Sequence, residues 1–314
     1  MRGFNGNTVG KVLALAAMIA PSAPSMAQPA PFEINMQRVR DGGASKCAHA
    51  GTYIVPSFYL YVEARNRTSA QDKFTRAKVR IFTQGLEKAG LQRLSRTLYD
   101  DLVAKLRATG ATVLTYDDLR GEMASLGRKS ARAGYGLPTF SDRNSTMDFL
   151  VAAPSDEQAV DWGMTGITFP YRAMAKAHNA AVIIPELTLT MPQVGASARN
   201  TAAFGWLSRE ANITVDPAMK LYGAMMNGMP SNLGWCSLQV QEHGVRLAAE
   251  SAGTVQKIAE DRFVTGQGIY ASTDDWNVLK TDYAFIVDPA AFSTGVLRVG
   301  TAVNALIAGT LGGK

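Results

Sequence analysis

The sequence predicts an α/β protein of the α+β kind, with an N-terminal strand–helix–strand–helix layer, a β-rich C-terminal half and a C-terminal helix. Three observations support this prediction. Leucines recur at helical spacing from Leu91 to Leu106, several later segments alternate apolar and polar residues in steps of two, and a mostly uncharged stretch follows Pro289. With 314 residues, 46% of them hydrophobic and 18% charged, the chain is long and apolar enough to bury a core.

Residues 1–27 have the layout of a secretory signal peptide. Arg2 and Lys11 supply positive charge, a short apolar run follows, and Ser25-Met26-Ala27 places small residues before a cleavage site. The apolar run is too short to span a bilayer. We therefore expect cleavage after Ala27 and a periplasmic or secreted protein.

The rest of the chain divides into an extended, polar N-terminal arm at residues 28–52 and a single α/β domain at residues 53–314. Within that domain, residues 134–166 are rich in Gly, Pro, Ser and Asp, which predicts a long loop. Loops of this length are often flaps or binding loops. This loop also marks a subdivision between an α/β part and a β-rich part.

The first elements of the domain follow from composition and periodicity. Residues 53–62 are aromatic and β-branched and predict a strand, while the polar stretch 65–76 predicts a loop. Val79 and Ile81, which alternate with Lys78 and Arg80, begin a second strand. The leucine periodicity predicts an amphipathic helix that Gly110 ends.

The later elements are read in the same way. Residues 111–116 predict a strand, and Asp117 or Asp118 caps the helix that follows. The segments at 171–179 and 180–190 predict a helix and a strand. Four further strands are predicted at 201–215, 235–250, 254–270 and 282–287, and Pro289 starts the last helix.

Positive charge is concentrated in one part of the chain. The formal net charge is +6, and the segment from Glu63 to Arg107 holds eleven Lys or Arg against five Asp or Glu. This basic flank fits the phosphate groups of lipid or polysaccharide, and it equally fits a solvated helix face. Export argues against nucleic acid as a partner.

Cys47 and Cys236 are the only cysteines. In an oxidising compartment such a pair predicts a disulfide, the alternative being two free thiols. No cysteine lies at the end of the leader, so no lipid attachment site is expected. No later segment has the ~18 consecutive apolar residues of a membrane-spanning helix, so none is predicted.

The search for catalytic chemistry finds no strong motif. The three histidines lack metal-ligand spacing, and no nucleophile elbow or phosphate loop is present, so we predict no metal and no cofactor. Low-specificity candidates for a ligand site are Trp206, Trp235 and Trp276, which line a cleft or anchor the core. The acidic residues on or near the long loop are Asp142, Asp148, Asp156, Glu157 and Asp161.

Two segments carry a family resemblance. Residues 91–119 give a helix, a small turn, a strand and an acidic helix start, and residues 174–187 give a second helix and strand. This pattern resembles the periplasmic α/β domain of the curli-secretion channel protein and the N-terminal domain of TolB-type envelope proteins. The resemblance covers about a third of the chain, transfers no catalytic residue, and implies a protein associated with the outer membrane.

Two functions from different classes remain. The first is a periplasmic protein without catalysis that assists envelope assembly, secretion or transport by binding a partner, whether an envelope protein, a lipid or a glycan, alone or as an oligomer. The second is a secreted hydrolase whose acidic site lies under the 134–166 loop. We favour the first, because enzyme sites usually show convergent titratable groups.

Overall fold

Strands and helices mix along the chain as the sequence predicts, and twelve strands of the described residues join one sheet. The structure is a computed structural model that describes residues 34–72, 75–125, 147–159, 168–203, 206–216, 218–232, 234–240, 245–246, 252–264 and 277–313. These residues belong to one compact unit, Phe32–Lys314.

Fourteen strands and four α-helices occur in this part of the chain. The strands are β1 (Val39–Asp41), β2 (Thr52–Val55), β3 (Tyr59–Asp72), β4 (Thr75–Gln84), β5 (Thr112–Thr115), β6 (Met147–Ala152), β7 (Ala181–Thr190), β8 (Gln193–Ala203), β9 (Trp206–Asp216), β10 (Lys220–Met229), β11 (Cys236–Val240), β12 (Val245–Arg246), β13 (Gly253–Val264) and β14 (Asn277–Val287). The helices are α1 (Lys88–Ala108), α2 (Arg120–Ser125), α3 (Thr168–Ala177) and α4 (Pro289–Gly312).

Strand β3 joins two regions of the sheet. Its first residues, Tyr59–Val62, run parallel to β7, which also contacts β2 and β10. Its later residues, Arg65–Asp72, pair with β4; β4 then pairs in parallel with β14, and β14 pairs with β13. We call residues 65–72 of β3 together with β4, β14 and β13 the outer sheet.

The β8–β9 hairpin forms a separate two-stranded sheet that packs on the outer sheet. Ala196, Ala211 and Ile213 of the hairpin contact Ala77 and Leu279 of the outer sheet. The hairpin lies on the same side as α1 and α4, because Val79 and Ile81 share a core with the buried residues of both helices. One face of the outer sheet is thereby covered.

Helices α1 and α4 pack closely side by side over the sheet. Leu98 of α1 occupies the space beside Gly300, where an added Cβ atom would come within 2.4 Å of the Leu98 Cδ2 atom. The amide of Asn304, which is fully buried, donates to the Leu98 carbonyl at 2.8 Å. Gly300 therefore sets the distance between the two helices.

Among the described residues, α4 is the one helix long and apolar enough to cross a membrane, judged by length and composition alone. A helix inside a protein core meets the same criterion. Here 44% of its most apolar window is buried within the protein, including Phe292, Val296 and Val303. These contacts account for its composition as a core helix.

A second core lies on the other side of the sheet, under α2 and α3. Tyr59 and Val151 of the sheet pack there with Tyr171 and Met174 of α3. The predicted helix–strand pair at 171–190 is confirmed as α3 and β7, although the helix begins three residues earlier.

Cys47 and Cys236 form the predicted disulfide, across 189 positions of sequence. Strand β1 pairs with β11 beside it, and the buried Tyr53 hydroxyl lies 3.0 Å from the carbonyl oxygens of both Cys47 and Leu311. Part of the stretch 28–52 is thus held against the sheet. A disulfide of this kind indicates an oxidising compartment outside the cytoplasm.

Two secondary-structure predictions are wrong. Residues 65–72 and 75–76, predicted as a loop, belong to β3 and β4, because antiparallel backbone pairing holds them in a hairpin although polar side chains are on both of its faces. The predicted strand 201–215 spans the end of β8 and most of β9, which are antiparallel partners. In both places the polar and small side chains obscured a two-residue alternation.

Reduction of the disulfide should destabilise the protein by about 2–5 kcal/mol, because opening a loop this long restores entropy to the unfolded chain. Urea unfolding with and without reductant measures this difference. The native, non-reduced protein should show no reactive thiol in a titration, even when it is unfolded. Two reactive thiols in that sample would contradict the disulfide.

Tyr99 should make the protein less stable at alkaline pH. Its hydroxyl donates to the Val55 carbonyl at 2.8 Å and accepts from the Tyr116 amide at 3.0 Å, and burial raises the pKa of Tyr99 to about 12. An unfolded tyrosine titrates near pH 10. The unfolded state therefore loses the proton first, and the free energy of unfolding should fall by up to about 2.7 kcal/mol as the pH rises from about 10 to 12.

The matched variant for this effect is Tyr99→Phe, which keeps the ring and removes the ionisable hydroxyl. It should be less stable than the wild type at neutral pH by about 1–3 kcal/mol, because the Tyr116 amide loses its partner. Its stability should fall less steeply above pH 10 in urea titrations. Equal slopes for the two proteins would show that Tyr99 does not titrate as described.

Candidate functional site

The acidic residues proposed for a hydrolase are engaged in ion pairs where their side chains are described. Asp156 accepts from Lys88 at 2.9 Å and from Gln92 at 2.7 Å, both on α1. Glu157 pairs with Arg120 of α2 at 2.7 Å. Both carboxylates are exposed, and these contacts tie residues 155–158 to the two helices. These ion pairs give Asp156 and Glu157 a structural role.

The other three acids of that hypothesis give less information. Asp142 and Asp161 lie outside the described residues. Asp148 is in β6, opposite Arg65 of β3 in backbone register, and its side chain is not described. An open groove of about 660 Å³ lies between α1 and the segment Pro154–Asp156. Arg93 and Arg96 line it on the α1 side.

Of the three tryptophans, Trp235 is the one whose side chain the structure describes. Trp235 precedes β11 and is 45% exposed. Trp206 is the first residue of β9, and its side chain is not described. Trp276 lies outside the described residues. The described side chains therefore form no tryptophan-lined cleft.

His178 and Cys47 also have structural partners. The imidazole Nε2 of His178 lies 3.0 Å from the carboxylate of Glu122, which links the end of α3 to α2. Cys47 is held in the disulfide, so His49 has no thiol to activate there. In the described part of the chain, no group of three His, Cys, Asp or Glu side chains is arranged to hold a metal ion.

A recess of about 300 Å³ lies between the first turns of α1 and α4. Its apolar wall is formed by Leu91, Leu94, Val287 and Phe292. Two charged residues, Glu87 and Arg93, also line it. Its polar groups are few, and the two charged ones are exposed.

The strongest concentration of like charge lies on the outer sheet. Strand β4 alternates strictly: Ala77, Val79 and Ile81 are buried, whereas Lys78 and Arg80 between them are exposed. Pairing in register places side chains of β3 and β14 on the same face as those two cations. We call this surface the cationic face; its basic members are Arg65, Arg67, Arg76, Lys78, Arg80 and Lys280.

Two pairs of these cations are directly opposite each other on neighbouring strands. Arg67 of β3 pairs in register with Arg80 of β4, and Lys78 of β4 pairs with Lys280 of β14. Like charges in such positions destabilise a sheet. In each pair, one cation also contacts a carboxylate of a neighbouring strand.

Acidic side chains neutralise part of this face. Asp282 accepts from the Arg80 Nε atom at 2.8 Å and raises the pKa of Arg80 above its ordinary value. Asp261 of β13 lies 3.7 Å from the Lys280 Nζ atom. Both acids are at the β13–β14 side. Arg76 of this face donates to the side-chain oxygen of Gln71 at 2.9 Å.

The opposite face of the outer sheet is fixed by a buried carboxylate. Glu63 is 1% exposed and accepts from the Met191 amide at 2.9 Å, from Gln193 at 3.0 Å and from Asn66 at 2.8 Å. Met191 and Gln193 flank the connection from β7 to β8. Glu63 thus attaches the start of the hairpin to β3, and the hairpin covers the apolar face while the cationic face remains outward.

The sequence partly predicted this surface. The basic flank from Glu63 to Arg107 contains five of its six cations, but β3, β4 and α1 share that flank. Lys280 lies 202 residues beyond Lys78 in sequence. Only the parallel pairing of β4 with β14 brings the two together.

Comparison of the chain with protein-family models, with curated proteins and with solved structures finds no match.

Lys78→Gln should stabilise the protein, since it removes one member of a like-charge pair and leaves the Lys280–Asp261 contact in place. We expect the free energy of unfolding to rise by about 0.2–1 kcal/mol at low ionic strength. Urea unfolding at about 0.01 M and about 1 M salt measures this gain in stability. The gain should be smaller at high salt, because the Debye length falls from roughly 30 to 3 Å.

The control for this prediction is Lys257→Gln. Lys257 is an exposed cation on β13 that is opposite Tyr283 and pairs with Glu260 at 2.6 Å. It should give no stabilisation at either salt concentration. Stabilisation by both substitutions would indicate a general effect of net charge and contradict the cross-strand repulsion.

Proposed function

We propose that this chain is an exported envelope protein of the periplasm that assists assembly, secretion or transport by binding a partner through its cationic face, without catalysis. The observation that carries the proposal is the pairing of Arg67 with Arg80 and of Lys78 with Lys280 on adjacent strands. An anion between Lys78 and Lys280 relieves the repulsion within that pair.

Export is supported by two independent features. The leader layout of residues 1–27 predicts secretion, and the Cys47–Cys236 disulfide requires an oxidising compartment to persist. The resemblance of residues 91–119 and 174–187 to envelope proteins agrees with this location. The curli-secretion protein is anchored by lipid, whereas this chain has no cysteine at the end of the leader.

Protection of a sheet edge does not account for these cations. Lysines on edge strands often block unwanted strand pairing. However, β4 is flanked by β3 and β14, and β14 is flanked by β4 and β13, so neither strand is an edge. The cations are on the surface of internal strands, where what they can meet is a partner lying over the sheet.

Site-specific photocrosslinking in a bacterial host tests this function. A photoreactive residue in place of Ser69, which is exposed on the cationic face opposite Lys78, should label an envelope component. The same residue in place of Thr301, exposed on α4, is the control. Fractionation of the same cells should show a mature chain that starts at Gln28 in the periplasm.

Two results would contradict the proposal. One is recovery of the chain from the cytosol with its initiator methionine. The other is the same labelling pattern, or none, from Ser69 and Thr301. Labelling at Ser69 that disappears when Lys78 and Lys280 are both neutralised supports the cationic face as the contact surface.

A further inference from the structure

We propose that the recess between α1 and α4, together with the adjoining groove beside Asp156, binds a single-chain amphiphile, with a short alkyl chain in the recess and an anionic head group on Arg93. This site is separate from the cationic face, because α1 and α4 cover the sheet on the opposite side. It therefore goes beyond the proposed function and does not depend on it.

The recess forms where two parallel strands of the outer sheet end. Strands β4 and β14 run parallel, and each is followed by a helix, α1 after β4 and α4 after β14. Gly85 and Leu86 from the first connection and Val287 and Pro289 from the second therefore line the same recess. In open α/β sheets, the crevice outside the carboxyl ends of parallel strands is the usual place for a ligand.

The recess favours an alkyl chain. Its volume of about 300 Å³ is at the lower end of the range for small-molecule sites, about 300–1,000 Å³. Leu91, Leu94 and Phe292 of its wall are at most 8% exposed, so a bound chain would contact the edge of the hydrophobic core. Glu87 also lines the recess and repels an anionic group there. A neutral, apolar group is therefore what the recess accepts.

Arg93 lies between the recess and the groove. Arg93 and Thr97, one helical turn apart, line both cavities, which therefore adjoin along this face of α1. The Thr97 hydroxyl donates to the Arg93 carbonyl at 3.0 Å, so its proton is already used. The Arg93 guanidinium is thus the charged donor that a molecule meets on passing from one cavity to the other.

Arg93 differs from the other basic residues of α1. Each of the other four has a side-chain partner: Lys88 with Asp156, Arg96 with the Tyr99 ring, Lys105 with Asp101, and Arg107 with the Val113 carbonyl. Arg93 makes no ion pair, side-chain hydrogen bond or ring contact within the described part of the chain. A guanidinium in this position suits a carboxylate or a phosphate, which accepts two of its N–H donors.

The charges around the two cavities determine the orientation of the ligand. Asp156 lines the groove, but Lys88 at 2.9 Å and Gln92 at 2.7 Å already bind that carboxylate. The Glu87 carboxylate has no such role at the recess, since its side chain makes no capping hydrogen bond to α1. An anionic head group is therefore favoured on the groove side of Arg93, with the chain in the recess.

Isothermal titration calorimetry of the mature, disulfide-bonded chain tests this site. Octanoate and octyl phosphate, both below their micelle-forming concentrations, should bind, and the tighter of the two identifies carboxylate or phosphate as the preferred head group. Octanol and octyltrimethylammonium should bind about tenfold more weakly, because they lack the charge-assisted hydrogen bonds to Arg93. Affinity should rise by about two- to fourfold per methylene from hexanoate to octanoate, as the chain fills the recess.

One pair of variants tests the recess. Gly90 lines it, and beyond its chain neighbours an added Cβ atom would first meet the Arg93 Nη2 atom, at 3.9 Å. A larger side chain therefore fits there and occupies the space of the ligand. Gly90→Leu should lower the affinity for octanoate by about tenfold or more, since it displaces two or more methylenes. The control, Gly121→Leu at an exposed glycine of α2, should leave the affinity unchanged.

A second pair of variants tests the head group. Arg93→Gln should lower the affinity for octanoate by about tenfold and leave that for octanol unchanged. Its control is Arg40→Gln, which removes the same charge from an exposed position on β1 and should change neither affinity. Urea unfolding confirms that all four variants fold.

Three results would overturn the amphiphile site. One is the absence of binding by every octyl compound at millimolar concentration. Another is equal affinity for octanoate, octanol and octyltrimethylammonium, which would remove Arg93 as the head-group partner. The third is unchanged binding by Gly90→Leu, which would place the ligand outside the recess. Crosslinking from position 69 is measured independently, so the proposed function stands or fails separately.

Discussion

Because side chains alternate along a strand, β4 can bury only one of its two sets of side chains. The packing of the outer sheet depends on which set is buried. A slip of one residue would bury Lys78 and Arg80 against the hairpin and expose Val79 and Ile81. Burial of an unpaired cation in an apolar layer costs several kcal/mol, so the register is strongly determined. The same alternation that builds this core therefore places the cationic face outward.

Glu63 extends this constraint from one strand to the hairpin. A carboxylate that is 1% exposed is stable only when donors satisfy it, and here they come from Met191, Gln193 and Asn66. Met191 belongs to the connection between β7 and β8, and Gln193 is the first residue of β8. The position of the hairpin and the orientation of β3 are thus linked through one buried group. The packing of α1 on α4 and the disulfide stabilise the other part of the molecule.

The sequence predicted the elements whose pattern is local. The leucines of α1, the apolar start of β7 and the capped start of α4 at Asp288 each determine their element within one segment. The disulfide followed from composition and compartment. Residues 65–76 failed because a solvent-facing row of Arg, Ser and Gln looks like a loop until its partner strand is known. The β8 strand, rich in Ala, Gly and Ser, failed for the same reason.

The site was harder to predict than the fold, because it depends on pairs that are distant in sequence. The basic flank has two alternative interpretations, and its α1 half fits a solvated helix face. On α1 the charges are mixed in sign: Lys105 pairs with Asp101 one turn away, and Arg96 attracts Asp100, which is typical of a solvated helix.

On β4 the exposed side chains are all basic between Arg76 and Arg80. Arg80 is opposite Arg67 on one side and Asp282 on the other, and Lys78 is opposite Lys280. A sheet face that contacts only solvent is more stable when directly opposite residues carry opposite charges. The same stretch of sequence thus contains both patterns, and the directly opposed like charges are on the sheet, which is why we propose binding there.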